Sequence, residues 1–405
     1  MPPSYLYISD NQMFVHNETG DHAIRSEVLE TYLRKVRDSA NRNEWKRSGS
    51  GAQFTGTFDP GADAQSRVAA VNAAIGCLAV KNGELVYSIR IDDTTGIYRK
   101  FRNDHTQEGI VISSGDTAYH DFDYNGERLA VSAAFAGESH IGVLEEGRTV
   151  CDMYTDGPSW DSEPVWSKVN LSEIYFSSAG LAVKSKNEQN DKTPTGVPYG
   201  VYRAMIEGAA RPVLGPSAIC LMNIQTGTMQ ELLADPDYDF IHPQSAPDGS
   251  LYYIRRPYKQ KNDNDSAGCL VDILLFPFRM VRALFGFFNF FSVKYSGKTL
   301  SNAGDVKRRD EEQMWIDGNF IQAEKELKEN RNRGDKNPGI IPRTWELHRL
   351  SPDGTDTLVR RGVVAYRQLQ GGDVLVSNGS GVLCLKADGS EQKISNVERV
   401  TYLNV

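Results

Sequence analysis

Apolar, β-branched and aromatic residues recur along this chain in short alternating runs, and most runs end in a tight turn. Alternation with period two places successive side chains on opposite faces of a strand, so the pattern predicts many short antiparallel strands. Two kinds of turn alternate. One precedes a strongly apolar strand: Asn82-Gly-Glu-Leu-Val-Tyr-Ser-Ile89, Asn125-Gly-Glu-Arg-Leu-Ala-Val-Ser132, Pro247-Asp-Gly-Ser-Leu-Tyr-Tyr-Ile254 and Gly371-Gly-Asp-Val-Leu-Val-Ser377. The other, at Glu146-Gly147, Thr226-Gly227, Asp353-Gly354 and Asp388-Gly389, precedes a more polar strand such as Thr228-Met-Gln-Glu-Leu-Leu233. Asn-Gly and Asp-Gly supply the positive φ that hairpins require, and a polar last strand suits a solvent-facing sheet edge.

A repeated four-stranded unit follows from these turns. Units fall near residues 77–113, 118–155, 164–233, 240–360 and 363–395, and a sixth is split between the ends. Residues 397–405 read as its first strand, and residues 5–9 and 13–16 as its second and third. The fold class is therefore all-β: one domain over 1–405, an about six-bladed β-propeller closed by N- and C-terminal strands in one blade. Such closure removes the open edge that makes a free sheet prone to association. Residues 48–68, with Phe54-Thr-Gly-Thr-Phe58, either complete the split blade or begin another.

Trp166-Ser-Lys-Val-Asn-Leu-Ser-Glu-Ile-Tyr-Phe-Ser-Ser178 and Pro243-Gln-Ser-Ala-Pro-Asp-Gly-Ser-Leu-Tyr-Tyr-Ile254 resemble the repeat of the TolB-like propellers, which are usually six-bladed. The first copy lacks the Pro-Asp-Gly of that repeat and the second lacks its Trp. The resemblance covers the strand framework and not the insertions. It implies a fold and a habit of protein binding, whereas partner and substrate do not carry over.

Three excursions interrupt the pattern. Residues 21–68 form a helical excursion, in which Val28, Leu29, Tyr32, Leu33 and Val36 make the apolar stripe of an amphipathic helix over 27–47. Residues 185–216 read as a polar insertion loop with four prolines, and residues 257–342 as a much longer helical insertion. Both long insertions join the second and third strands of adjacent units, so both emerge on one face of the ring. Function is expected on that face.

The long insertion holds an apolar amphipathic segment, 269–293, including Leu274, Leu275, Phe276, Phe278, Leu284, Phe285, Phe287, Phe288, Phe290 and Phe291. On a helix, Asp272, Arg279, Arg282, Gly286 and Asn289 trace one narrow polar stripe. Two membrane crossings would leave about 18 Å of helix each, against an apolar layer of about 30 Å. A single crossing would strand the rest of the blade on the far side. A membrane surface, a groove on a partner protein or second copy, and the propeller's own wall all satisfy such a segment. Beyond it, the charge-dense residues 305–333, with Met314, Trp315, Phe320, Ile321 and Leu327, read as a solvated helix.

The chemistry-bearing residues are few. His120 and Asp121 at the start of one unit, His242 at the start of another, and Glu163 between them point toward the ring axis. They suit proton transfer or metal binding, which makes an axial hydrolase or lyase using His120, Asp121 and His242 one alternative and a ligand-sensing propeller another. The commoner role of polar residues at this place is to satisfy backbone groups at a blade junction. A Gly-x-Ser-x-Gly elbow, phosphate loops and dinucleotide fingerprints are absent, so no catalytic residue and no cofactor is assigned. Asn262-Asp-Asn-Asp265 lacks the spaced Gly and final Glu of a calcium loop, so no metal is assigned either.

Composition narrows the partners. A formal net charge of -8 argues against nucleic acid as a partner. The N-terminus reads as a strand rather than a signal peptide, and the five scattered cysteines lack metal-ligand spacing. The expectation is a non-enzymatic scaffold or sensor in the cytoplasm, with a peripheral place at the inner membrane face as the alternative and the partner protein unspecified.

Overall fold

The computed structural model describes residues 4–42, 73–185, 210–258 and 313–405, apart from positions 11, 82, 92–93, 102–107, 136 and 317–318. Its described strands form antiparallel four-stranded units. Blade 1 is the split one: β26 (Val400–Asn404) pairs with β1 (Tyr5–Ser9), followed by β2 (Gln12–Asn17) and β3 (Gly20–Ile24). Leu6 lies opposite Asn404 and Tyr7 opposite Leu403, and the Ser9 hydroxyl donates to the carbonyl of Glu398 at 2.8 Å. The chain ends are thus tied as the alternating pattern requires. Residues 21–24, expected in the helical excursion, complete blade 1 as β3, while residues 48–68 lie outside the described residues.

Blade 2 holds β4 (Ala73–Lys81), β5 (Glu84–Ile91), β6 (Thr94–Phe101) and β7 (Glu108–Ser114). Blade 3 holds β8 (Ala118–Tyr124), β9 (Arg128–Phe135), β10 (Glu138–Glu145) and the two-residue β11 (Asp152–Met153). Blade 4 holds β12 (Ser159–Trp166), β13 (Glu173–Ser185), β14 (Ala210–Asn223) and β15 (Thr228–Leu233), and a parallel bridge between Ser139 and Trp160 joins it to blade 3. Blade 5 holds β16 (Tyr238–Ser245), β17 (Leu251–Pro257), β20 (Glu346–Leu350) and β21 (Asp356–Arg361). Blade 6 holds β22 (Ala365–Gln368), β23 (Val374–Ser377), β24 (Val382–Leu385) and β25 (Glu391–Ser395). The turn glycines behave as their neighbours suggest: Gly126 and Gly249 adopt φ of 108° and 82°, where a Cβ would be strained.

Period two divides each strand between two blade interfaces. Tyr5 and Tyr7 pack toward blade 6 with Val364, Leu375 and Val382, whereas Leu6 and Ile8 pack toward blade 2 with Leu78, Tyr87 and Ile89. The series continues through Val86 with Val131 between blades 2 and 3, and Val143 with Phe176 between blades 3 and 4. Ile219 with Tyr253 joins blades 4 and 5, and Ile254 with Val376 joins blades 5 and 6. The hydrophobic interfaces therefore follow one another around a closed ring.

The excursions differ in part from their sequence patterns. Helix α1 (Glu27–Arg42) docks on blade 2, with Val28 and Leu29 against its core and Tyr32, Leu33 and Val36 half-buried. Ser26 caps it through the Leu29 amide at 3.2 Å, and Glu108 accepts from the amides of Glu27 and Val28 at 3.0 and 2.8 Å. Residues 210–216, expected in the polar loop, extend β14 instead. Pro212 lies opposite Val183 in β13 and beyond the reach of β15, which pairs only residues 219–223, an edge position of the kind that tolerates proline.

Residues 313–322, expected to be helical, form a hairpin of β18 (Gln313–Ile316) and β19 (Asn319–Gln322). The sequence carries Asp317-Gly318 between these strands, a turn-forming pair. Among the described residues of this insertion the helix is α2 (Ala323–Asn332), and Ile321 is buried among Tyr5, Trp345 and Val364. The whole apolar segment 269–293 lies outside the described residues.

Candidate functional site

The innermost strands converge on the ring axis, and four of them carry a two-residue bulge. The register shifts between Ile75 and Leu78, Tyr119 and Phe122, Ser162 and Val165, and Ile241 and Gln244. Each bulge re-aims two residues. Those residues are Gly76 and Cys77, His120 and Asp121, Glu163 and Pro164, and His242 and Pro243. Glu163 and His242 adopt left-handed φ of 57° and 54°, uncommon for residues with a Cβ.

Two imidazole–carboxylate pairs result. His242 Nδ1 lies 2.8 Å from Glu163 Oε1, and Glu163 Oε2 accepts from the His242 amide at 2.5 Å and the Ser177 hydroxyl at 2.8 Å. His120 Nδ1 lies 2.7 Å from Asp121 Oδ2, and its ring stacks on Trp160 at 5.6 Å. The structure thus brings His120, Asp121, Glu163 and His242 to one axial region. Burial pushes the Asp121 carboxyl up, but the His120 charge and hydrogen bond, His242 and the Glu163 amide outweigh it and hold the group below its ordinary range. The same balance holds Glu163 down: burial raises it, and His242 more than compensates, against a smaller opposing push from Asp121. Both acids are therefore ionised and spoken for.

Sequence reasoning missed three neighbours of these pairs. Ser139 Oγ lies 2.8 Å from His120 Nε2, so Ser139, His120 and Asp121 are spaced like a nucleophile, base and acid. The spacing does not make a hydrolase. Ser139 has 0% exposure, its hydroxyl donates to the carbonyl of Asp161 at 2.7 Å, and it sits at the bridge joining blades 3 and 4. A nucleophile needs access to a substrate, whereas this hydroxyl ties two blades together. Asp161, also buried, accepts from Thr155 at 2.6 Å and Ser178 at 2.7 Å. His140 lies 3.8 Å from Asp161 and 3.4 Å from Glu138. Burial draws the His140 imidazole down, yet those two carboxylates carry it above its ordinary value. A serine or histidine inside an alternating strand gives no sequence signal of such a role.

The thiols among the described residues are poor nucleophiles. Burial pushes Cys151 up to about 12 and Cys220 to about 11, and Cys77 is raised as well. Among the described residues no group of three or more His, Cys, Asp or Glu is arranged to hold a metal ion. A cavity of 330 Å³ opens beside β13, β14 and β15, lined by Ser178, Pro216, Cys220, Glu231 and Asp235. It lies apart from the His120 and His242 pairs. The apolar candidates Leu274, Leu275, Phe276, Phe278, Leu284, Phe285, Phe287, Phe288, Phe290 and Phe291 lie outside the described residues. Among the described residues no helix is long and apolar enough to cross a membrane.

No protein-family model matches the chain, and no curated protein matches it. Solved structures with similar folds include TolB from Acinetobacter baumannii, with TM-score 0.45 and 8% identity over 99% of this chain and 64% of that one. The chain thus spans about two thirds of that TolB. A nidogen/laminin complex gives TM-score 0.47 and 8% identity over 99% of this chain and 97% of that one. An oligogalacturonate lyase from Vibrio parahaemolyticus gives 0.37 and 11%, over 79% and 76%. The chain is a β-propeller with a loose structural likeness to TolB-like propellers, and its structural neighbours include both TolB and enzymes.

Proposed function

We propose that this protein is a non-catalytic binding platform whose insertion-bearing face docks a partner protein. One observation carries the reading. The β13–β14 hairpin runs on past its blade for five pairs, from Leu181 opposite Leu214 to Ser185 opposite Ala210, as an arm of about 13 Å. In the next blade the corresponding connection leaves at the end of β17, Pro257, and re-enters the blade at β20, Glu346. Two adjacent second-to-third-strand connections thus load one face of the ring.

The apolar residues between Leu274 and Phe291 supply an anchor of the kind that binds a greasy partner surface. The axial acids and imidazoles answer one another, Glu163 and His242 across a blade junction and His120 and Asp121 within one strand, which favours a structural role for them over acid–base catalysis. Four cysteines, Cys77, Cys151, Cys220 and Cys384, are free thiols, in keeping with a reducing compartment such as the cytoplasm.

The test compares the intact chain with one lacking residues 266–296. In native-host extract the intact chain should migrate in a larger complex, and the deletion should release it while leaving the melting temperature unchanged. Sedimentation with phosphatidylserine vesicles separates the membrane alternative: binding to vesicles without a protein complex would replace the partner reading. A deletion that changes neither assay would sink both.

A further inference from the structure

We propose that residues 319–345 act as a releasable latch that holds the ring shut where blade 6 meets blade 1. The device rests on the fold alone and is independent of the docking reading. In sequence the segment belongs to the long insertion of blade 5, between β17 and β20. In space its apolar side chains sit elsewhere. Ile321, Ile341 and Trp345, at 2%, 0% and 4% exposure, share one core with Leu375 and Val382 of blade 6 and with Tyr5, Val400 and Leu403 of blade 1. Tyr5 lies on the first strand of the chain and Val400 on the last, so the segment packs against both halves of the split blade.

A run of hydrogen bonds carries this hold to the chain ends. The Ile340 amide donates to the carbonyl of Asn378 at 3.1 Å, and the Asn378 side-chain amide donates back to the carbonyl of Asn337 at 2.9 Å. The same turn, between β23 and β24, also grips the last strand. The Arg399 amide donates to the carbonyl of Gly379 at 2.9 Å, and the Ser377 hydroxyl donates to the carbonyl of Val400 at 2.7 Å. Arg399 in turn reaches Asp10, just beyond β1, at 3.4 Å. On the outer strands, the Asn337 side chain donates to Glu391 of blade 6 at 2.6 Å, and Arg360 of blade 5 donates to the same carboxylate at 2.9 Å. The segment thus bridges blades 5, 6 and 1.

The kind of contact makes this a latch rather than part of the wall. Among the described residues the segment forms no strand ladder with any blade: β18 and β19 pair only with each other, and α2 follows them. Asn330, 2% exposed, braces the segment from within by donating to the carbonyls of Gly339 and Ile341 at 2.8 and 3.1 Å. A segment that holds itself together and meets the ring through side chains and turn bonds opens at lower free-energy cost than the ladders beneath it. The clasp it covers is short, four residue pairs between β26 and β1. Release of the latch therefore frees the chain ends first, with blades 2 to 4 intact. Gly339 is its tightest contact, because a Cβ there would meet the Asn378 carbonyl oxygen at 2.3 Å.

The test is hydrogen exchange of the full chain, read by mass spectrometry. Gly339→Ala should accelerate exchange at least tenfold over residues 5–9 and 400–404, while residues 128–135 and 173–180 keep the parent's protection. Ile341→Ala, which removes packing without a clash, should act in the same direction and serves as the test if Gly339→Ala does not fold. Lys328→Gln, at an exposed position of α2, should change nothing. Circular dichroism checks that each variant is folded. The proposal is overturned if acceleration stays within residues 319–345, since the segment is then only a cover. It is overturned equally if blades 2 to 4 lose protection to the same degree as the chain ends. Deleting residues 266–296 spares the latch and should leave the chain ends protected, which keeps this result separate from the docking test.

Discussion

The Glu163 carboxylate holds His242 twice, through the imidazole Nδ1 at 2.8 Å and through the backbone amide at 2.5 Å, and so fastens the inner strand of blade 4 to that of blade 5. Both residues sit at bulges with left-handed backbone, so the contact also stabilises a conformation that each would otherwise avoid.

Removing the charge tests this fastening. Glu163→Gln should destabilise the chain by about 1.5–3 kcal/mol, the range for a hydrogen bond to a charged group. Urea denaturation of Glu163→Gln, His242→Gln and the double variant should give a coupling of at least about 0.5 kcal/mol. Additive losses would mean that the two side chains do not act together.

Acid should loosen the axis. The carboxyls of Asp121 and Glu163 are both held below their ordinary range in the folded chain. Their contribution is present above the unfolded values of about 4, and it is lost as pH falls through the lower folded values. Stability measured between pH 5 and 2 should fall less steeply in an Asp121→Asn chain than in the parent.

His140 should act in the opposite direction. Its folded value is raised by Asp161 and Glu138 against the pull of burial. The stabilisation is full below the unfolded value of about 6.5 and disappears as pH rises through the folded value above it. His140→Gln should flatten the stability profile over that interval, read by thermal unfolding from pH 6 to 8. A profile that keeps its slope would place the titration elsewhere.

The start of α1 depends on a residue 80 positions away. Glu108 accepts the amides of Glu27 and Val28 and also the Tyr87 hydroxyl, so a carboxylate of blade 2 caps a helix that follows blade 1. Glu108→Ala should cost about 0.5–2 kcal/mol of local stability. Hydrogen exchange should accelerate over residues 27–42 while protection of β5 and β9 is kept. Equal acceleration throughout would show that the helix and ring open as one unit.

Much of the ring was legible because each strand carries its own alternation. Residues 5–9 and 400–404 announce themselves as strands, and joining them needs only the rule that free edges are closed. His120, Asp121, Glu163 and His242 stand out as polar residues within the inner strands. Ser139 does not, because its role comes from a bridge to Trp160 in another blade. Charge density misled the reading of residues 313–322, where the paired residues Met314 with Ile321 and Trp315 with Phe320 form a hairpin that buries Ile321 against the ring. Proline content misled the reading of residues 210–216, which form part of a strand on a sheet edge beyond β15, where proline is tolerated.

The clasp of β26 onto β1 also governs how a nascent chain reaches its final form. Ser9 meets Glu398 across 389 positions, so at ordinary elongation rates the first strands wait roughly 20–80 s on the ribosome for their mate. During that interval Tyr5, Leu6, Tyr7 and Ile8 have no neighbour on one side, and a chaperone that shields such surface would matter most for this stretch of the polypeptide.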